Sequence, residues 1–233
     1  MSDPTVVCVM LTADRPHLAR RAVESFRSQT YPAKRLLILD SGKEMEPDLD
    51  NEDRSEFWVP APTGLTIGEL RNKTAAFWTE YPIYVHWDSD DWSHPNRIAE
   101  QVALLQSSGA DCVGMNEVVF WKTNEREAWL YTNRNPGYCV GSSLMYWRKT
   151  WERKPFAATS QGEDLQFCTG LKCVGVSSLA SGESRLIARI HDGNTSTAYR
   201  PESMLRASEW RRLPELDEAA RRKMEGYAES IRA

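Results

Sequence analysis

The chain opens on Thr5-Val-Val-Cys-Val-Met-Leu11, a β-branched apolar run followed by polar residues. That pattern predicts a strand buried on both faces, the kind that belongs to a parallel sheet. Leu18, Ala22, Val23 and Phe26 then recur at helical spacing, with Asp14 near the N-cap, Pro16 in the first turn and Tyr31-Pro32 as the stop. Residues 35–39 predict a second strand that ends at Asp40-Ser-Gly42, so the opening reads as a βαβ unit with a right-handed crossover. Residues 43–56 are acidic and without periodicity, and read as a loop. A helix is predicted over 65–78, then a strand over 82–87 that stops at Asp88-Ser-Asp-Asp91. A further helix begins at His94-Pro95, carries Ile98, Val102 and Leu105 on one face and closes at Gly109. Residues 111–114 read as one more strand.

The second half changes texture. Residues 117–121 and 128–131 flank a polar turn and predict a β-ribbon; 143–147 and 185–190 read as strands, and Glu163 opens a helix. Beyond Pro201, charges of both signs alternate in a helical pattern, predicting one or two exposed C-terminal helices. The class is α/β, and 233 residues suit one domain.

Composition narrows the function classes. The longest uninterrupted apolar run, 6–11, is far too short to cross a bilayer. The start, Met-Ser-Asp-Pro, lacks the basic and apolar regions of a secretory signal, which predicts a cytoplasmic protein, and five cysteines at irregular spacing fit a reducing compartment. Cys168 and Cys173 stand without a second pair and read as two buried thiols rather than a zinc site. A net charge of −4 argues against a general nucleic-acid coat and leaves small anionic ligands open. Glycine-rich dinucleotide, P-loop, nucleophile-elbow and zincin signatures are all missing.

What carries chemistry is Asp88-Ser89-Asp90-Asp91 at the end of a buried strand, since ligands of open α/β sheets gather at the strands' carboxyl ends. Carboxylates one residue apart, where the backbone starts to turn, can converge on one divalent cation such as Mg²⁺ or Mn²⁺. Six segments then resemble, in order, a family 2 glycosyltransferase of the GT-A fold: Leu11-Thr-Ala-Asp-Arg-Pro16, Gln29-Thr-Tyr-Pro32, Leu39-Asp-Ser-Gly42, Arg71-Asn72 with the Asp88–Asp91 strand end, Gly162-Glu-Asp164, and His191-Asp-Gly-Asn-Thr195.

The resemblance implies a GT-A-type domain over 1–233, with a mainly parallel central sheet flanked by helices, a small β-ribbon and C-terminal helices. Its nucleotide-sugar half would run to about residue 114, its acceptor and catalytic half over about 115–200, and the helices over about 201–233. The donor would be a nucleoside-diphosphate sugar held by Thr12, Asp14, Arg15, Asp40, Arg71, Asn72, Asp88 and Ser89. Mn²⁺ or Mg²⁺ would lie on Asp90, with Asp88, Asp91 and His191 as further ligands; an ordinary surface-loop histidine is the other reading of His191. Asp164 would be the general base, with Glu163 beside it, although a helix N-terminus favours carboxylates anyway. Inversion at the anomeric carbon follows from the resemblance.

Two departures stand out: Ser41 replaces a second acidic residue, and Asp14 stands for Asn. Nine tryptophans are an unusual number, and those on the acceptor side, Trp92, Trp121 and Trp129, are candidates to stack on a carbohydrate or other hydroxyl-bearing acceptor, whereas Trp87 reads as core. A nucleotidyltransferase acting on a sugar phosphate and a non-catalytic nucleotide- or sugar-binding protein are the competing readings, and nucleic acid is a minor option as acceptor.

Overall fold

The first strand, β1 (Val6–Thr12), lies at the centre of the donor half, and its alternate residues explain the layers on either side. Val6, Cys8 and Met10 pack with Leu36, Ile38 and Val85 beneath α1 (Pro16–Arg27) and α3 (Arg97–Ser108). Val7 and Val9 face the other way, with Leu37, Leu39 and Tyr84, toward α2 (Ile67–Phe77). A strand with no polar face needs a cover on both sides, and the crossover helices supply it.

The computed structural model describes residues 3–42, 55–135, 137–179, 182–194 and 209–225. Among these, β1 pairs in parallel with β2 (Lys34–Asp40) and β4 (Ile83–His86), and β2 with β3 (Glu56–Pro60). The second half enters antiparallel to β4 through β8 (Met145–Trp147), which joins the long β6 (Cys112–Lys122). The start of β6 pairs with β9 (Cys173–Ser177). Past an irregularity between Met115 and Glu117, its end pairs with β7 (Glu127–Thr132) and β10 (Leu186–Ile190). Two short strands, β5 (Trp92–Ser93) on β10 and β11 (Trp210–Arg212) on β7, complete one sheet of eleven strands.

Several expectations are corrected. Asp14 does not cap α1: it takes φ 52° and turns the chain, leaving Arg15 at the cap without a side-chain hydrogen bond. The strands foreseen over 111–114 and 117–121 are one strand, so β6 runs through the divide drawn at Gly114. β3, β5, β9 and a short helix, α4 (Arg148–Arg153), add to the expected elements, and the helix expected from Glu163 is α5 (Glu163–Cys168). The foreseen C-terminal helices begin instead with β11, and α6 (Asp217–Glu225) buries Ala220 and Met224 against Trp121 and Leu213. The acidic stretch 43–54 and residues 195–208 lie outside the described residues.

Two devices hold α2 in place. Thr66 and Glu69 form a reciprocal capping box, a device contributing roughly 1 kcal/mol. At Gly68 an added Cβ would fall 1.8 Å from the Ala157 carbonyl oxygen, so only glycine lets α2 approach the 157–159 segment this closely.

Candidate active site

Beyond the ends of β1, β2 and β4 lies a cleft of about 300 Å³. Thr12 and Ser41 form one edge, Asp88 to Asp91 the floor, and Gly141, Ser142, Glu163 and Asp164 the far wall. Register puts Thr12 directly opposite Asp40, and the Asp40 carboxylate accepts from the Gly42 N–H at 2.8 Å.

Asp90 is the hub of the floor. Its Oδ2 accepts from Arg15 Nη1 at 3.1 Å and meets His191 Nε2 at 2.9 Å. The Gly193 N–H donates to His191 Nδ1 at 3.0 Å, which leaves the imidazole proton on Nε2, pointing at Asp90. Asp91 accepts from the Arg189 backbone N–H, and the Arg189 guanidinium donates to the Asp90 carbonyl, so β10 clamps the acidic turn. Burial raises the Asp91 carboxyl well above the usual carboxylate range, and the charges of Asp90 and Asp88 add to it. Asp88 is raised for the same leading reason, with Arg71 pulling the other way and Asp90 reinforcing the rise. Crowded carboxylates of this kind are relieved by a cation. Among the described residues these side chains are not drawn into a tight three-ligand group; Arg15 pairs its charge with Asp90, and His191 hydrogen-bonds to the same carboxylate.

Arg71, 6 % exposed, projects from α2 between the two walls, 3.7 Å from Glu163 Oε1. Its Nε and Nη1 have no hydrogen-bond partner, nor do the buried hydroxyls of Thr12 and Ser142. Leaving such donors unmet costs about 1–3 kcal/mol each, more for charged groups, which an anionic ligand in the cleft would recover.

The far wall is built by α5 and the turn at Gly141–Ser143. Asp164 Oδ1 accepts from the Leu165 N–H at 2.8 Å and Oδ2 from Tyr138 Oη at 3.2 Å. Burial lifts the Asp164 carboxyl above its ordinary value, offset in part by the Leu165 N–H, Arg71 and Tyr138. Gly141 lies against this carboxylate, and its carbonyl accepts from His86 Nδ1 at 2.7 Å. Burial holds His86 neutral, its pKa well below the usual imidazole value. Arg97, fully buried, spends its donors on Gln101, Ser93, His86 and Ser142 and so ties the end of β4 to the same turn.

Thus Thr12, Arg15, Arg71, Asp88, Ser89, Asp90, Asp91, Glu163 and Asp164 come together around one cleft. Asn72 does not: its amide donates to the Phe156 carbonyl and accepts from Phe156 N–H and Trp151 Nε1, tying α2 to the chain after α4. Asp14 is exposed beside Gly42. His191 reaches the site through Asp90, and Thr195 lies outside the described residues.

The acceptor tryptophans are corrected. Trp121 is fully buried in the cluster beneath α6, because alternate residues of a strand face opposite sides; its neighbour Phe120 lines the cleft. Trp129 is half-buried and donates to Glu127, away from the cleft. Trp92 lines a separate small crevice, with Lys223 Nζ 4.3 Å from the centre of its ring. Trp87, as expected, is core. Truncating Trp121 to Ala is expected to cost about 3–5 kcal/mol of stability, read as a lowered denaturation midpoint. Acceptor KM should be unchanged wherever the variant is folded.

Sequence reasoning missed Tyr138, Gly141, Ser142, Phe120 and Arg189. Only strand alternation could have pointed to one of them, Phe120 over Trp121.

The sheet order and the cleft at the strand ends define a glycosyltransferase fold of the GT-A type. Structures of S. aureus TarS share it: residues 1–349 in complex with UDP-GlcNAc match 96 % of this chain and 71 % of that one at TM-score 0.66 and 14 % identity. The same segment without that ligand matches 79 % of this chain at TM-score 0.60 and 12 % identity, and its UDP complex 80 % at 0.61. The chain spans about 60 % of the TarS segment in those two alignments. The glycosyl transferase family 2 model matches residues 7–169, and the chain belongs to that family. No curated protein matches the sequence. Among the described residues no helix is long and apolar enough to cross a membrane.

Proposed function

We propose that this protein transfers a sugar from a nucleoside-diphosphate donor to a hydroxyl acceptor, in the cytoplasm, with inversion at the anomeric carbon. The observation that carries the reading is a single cleft with an acidic strand end on one side, a raised, buried carboxylate on the other, and the unmet donors of Arg71 between them.

Thr12 and Asp40 hold the nucleoside at the ends of β1 and β2, and Arg71 directs its free N–H groups at the diphosphate. Asp164 takes the proton of the acceptor hydroxyl as its oxygen attacks the anomeric carbon, and Glu163 holds Arg71 in place. Phe120 offers the apolar face on the acceptor side. Asp90, Asp88 and His191 have the oxygen and imidazole donors that suit Mn²⁺ or Mg²⁺, and the raised carboxyls of Asp88 and Asp91 fit a place for positive charge. Such a cation, when bound, offsets charge on the departing diphosphate.

Calorimetry with nucleoside diphosphates and Mn²⁺ tests the reading, beginning with UDP because the TarS structures hold UDP and UDP-GlcNAc. Binding of one diphosphate, and its release in turnover with a sugar donor, is expected. Absence of binding with either Mn²⁺ or Mg²⁺ would refute it, and release of pyrophosphate would indicate nucleotidyl transfer instead.

Gly141 gives a sharper check of the far wall. A Cβ there would lie 2.6 Å from Asp164 Oδ2, so Gly141→Ala must displace the carboxylate. Misplacement on that scale is expected to lower kcat by about 10²-fold while donor affinity stays near wild type.

A further inference from the structure

All five cysteines are free, and three of them meet away from the cleft. Cys112 opens β6, Cys173 opens β9, and the two are register partners in the parallel ladder. Cys168 is the last residue of α5, the helix whose first turn carries Glu163 and Asp164. The three sulfurs lie within 4.8 Å of one another, with Cys112 and Cys173 only 2.7 Å apart. Cys112 and Cys168 are buried, and Cys173 is half-buried. Cys139 supports the group without joining it: its backbone N–H donates to the Cys168 sulfur, while its own thiol turns to the Val174 carbonyl at 3.7 Å.

Three neutral thiols gain little from such a meeting, since S–H is a weak donor and sulfur a weak acceptor. Thiolates bring the opposite problem, negative charge crowded out of water. A bound cation relieves that crowding. Soft sulfur donors select thiophilic metals over the oxygen-seeking Mg²⁺ and Mn²⁺. Tetrahedral zinc with Zn–S bonds of about 2.3 Å sets its sulfurs about 3.8 Å apart, inside the 4.8 Å that encloses this group.

We propose that Cys112, Cys168 and Cys173 form a three-thiolate site for one thiophilic divalent cation of the zinc class, with the fourth position open to solvent on the Cys173 side. Binding forms three metal–sulfur bonds and releases the remaining thiol protons to water, leaving a complex of net charge −1. It staples the C-terminal end of α5 to β6 and β9, and so fixes the helix that presents Asp164. The site stands apart from the sugar-transfer reading and does not depend on it.

The test uses the full chain, reduced and freed of metal, with Mg²⁺ in excess to occupy oxygen-donor sites and Cd²⁺ as probe. One equivalent of Cd²⁺ is expected to raise a thiolate-to-metal charge-transfer band, shield three thiols from a thiol reagent, and be displaced by Zn²⁺. Cys173→Ser and Cys168→Ser should each lose most of the band and bind Zn²⁺ more than about tenfold more weakly, while Cys8→Ala, remote from the group, keeps both. No band in the wild-type protein overturns the proposal, as does a band that survives in a folded Cys173→Ser or Cys168→Ser. Loss of two thiols before metal is added, reversed by reductant, would show a disulfide in its place and overturns it equally.

Discussion

Asp164→Asn is expected to lower kcat for sugar transfer by about 10²–10⁴-fold while leaving nucleoside-diphosphate affinity within a few-fold of wild type. The amide is nearly isosteric, and its oxygen can still accept from the Leu165 N–H that holds Oδ1 now. What it cannot do is take a proton. Retained donor binding separates loss of the base from loss of the fold, and transfer within a few-fold of wild type would refute the assignment.

The pH profile gives an independent check on the same residue. A base must be ionised, so kcat/KM rises as pH rises through its pKa; burial raises that pKa, which displaces the acid limb above the range of an ordinary carboxylate. Tyr138 donates to Oδ2 and lowers the pKa, so Tyr138→Phe should move the limb to still higher pH. In Asp164→Asn the limb should vanish altogether. A merely structural role for Tyr138 would change the height of the profile without moving the limb.

The donor half was legible in the sequence because its signals are local. An apolar run closed by carboxylates fixes both a buried strand and what stands at its end, and β2 and β4 follow that rule. The far wall was less legible because it is assembled by tertiary contact. Gly141 is brought to Asp164 by a turn that Arg97 and His86 hold from another part of the chain, and no spacing in the sequence encodes that approach. Trp121 shows a different failure. Composition drew attention to the larger ring, but the two-residue period of β6 places Phe120 on the cleft side and Trp121 in the core. Asn72 was misread because it follows Arg71 directly: adjacent helix residues point about 100° apart, so Arg71 enters the cleft and Asn72 turns to Trp151 and Phe156. Cys168 and Cys173 were read without Cys112 because β6 and β9 are joined across 61 residues, and register alone brings Cys112 to Cys173.

Asp90→Asn is expected to remove the divalent-cation dependence of donor binding and to lower kcat by about 10²–10⁴-fold, the equivalent of several kcal/mol of charge stabilisation at the leaving group. The geometry specifies how the two effects divide. Asp90 is the one carboxylate of the strand end that Arg15 and His191 both address, through the same Oδ2 atom. An amide oxygen still accepts both hydrogen bonds, so the turn and β10 keep their places, but the formal charge that would hold a cation is gone. Arg15 and Arg71 remain, and both are cations facing the cleft. Without Mn²⁺ the variant should therefore bind a nucleoside diphosphate at least as well as the wild type, having lost a negative charge. With Mn²⁺ it should gain little, whereas the wild type gains strongly. Calorimetry of both proteins with and without Mn²⁺ measures the difference directly. An Asp90→Asn protein whose affinity still rises with Mn²⁺ as the wild type's does would move the metal onto other residues. Equal turnover of the wild type in Mn²⁺ and in chelator would mean that Arg15 and Arg71 alone carry the charge of the leaving group.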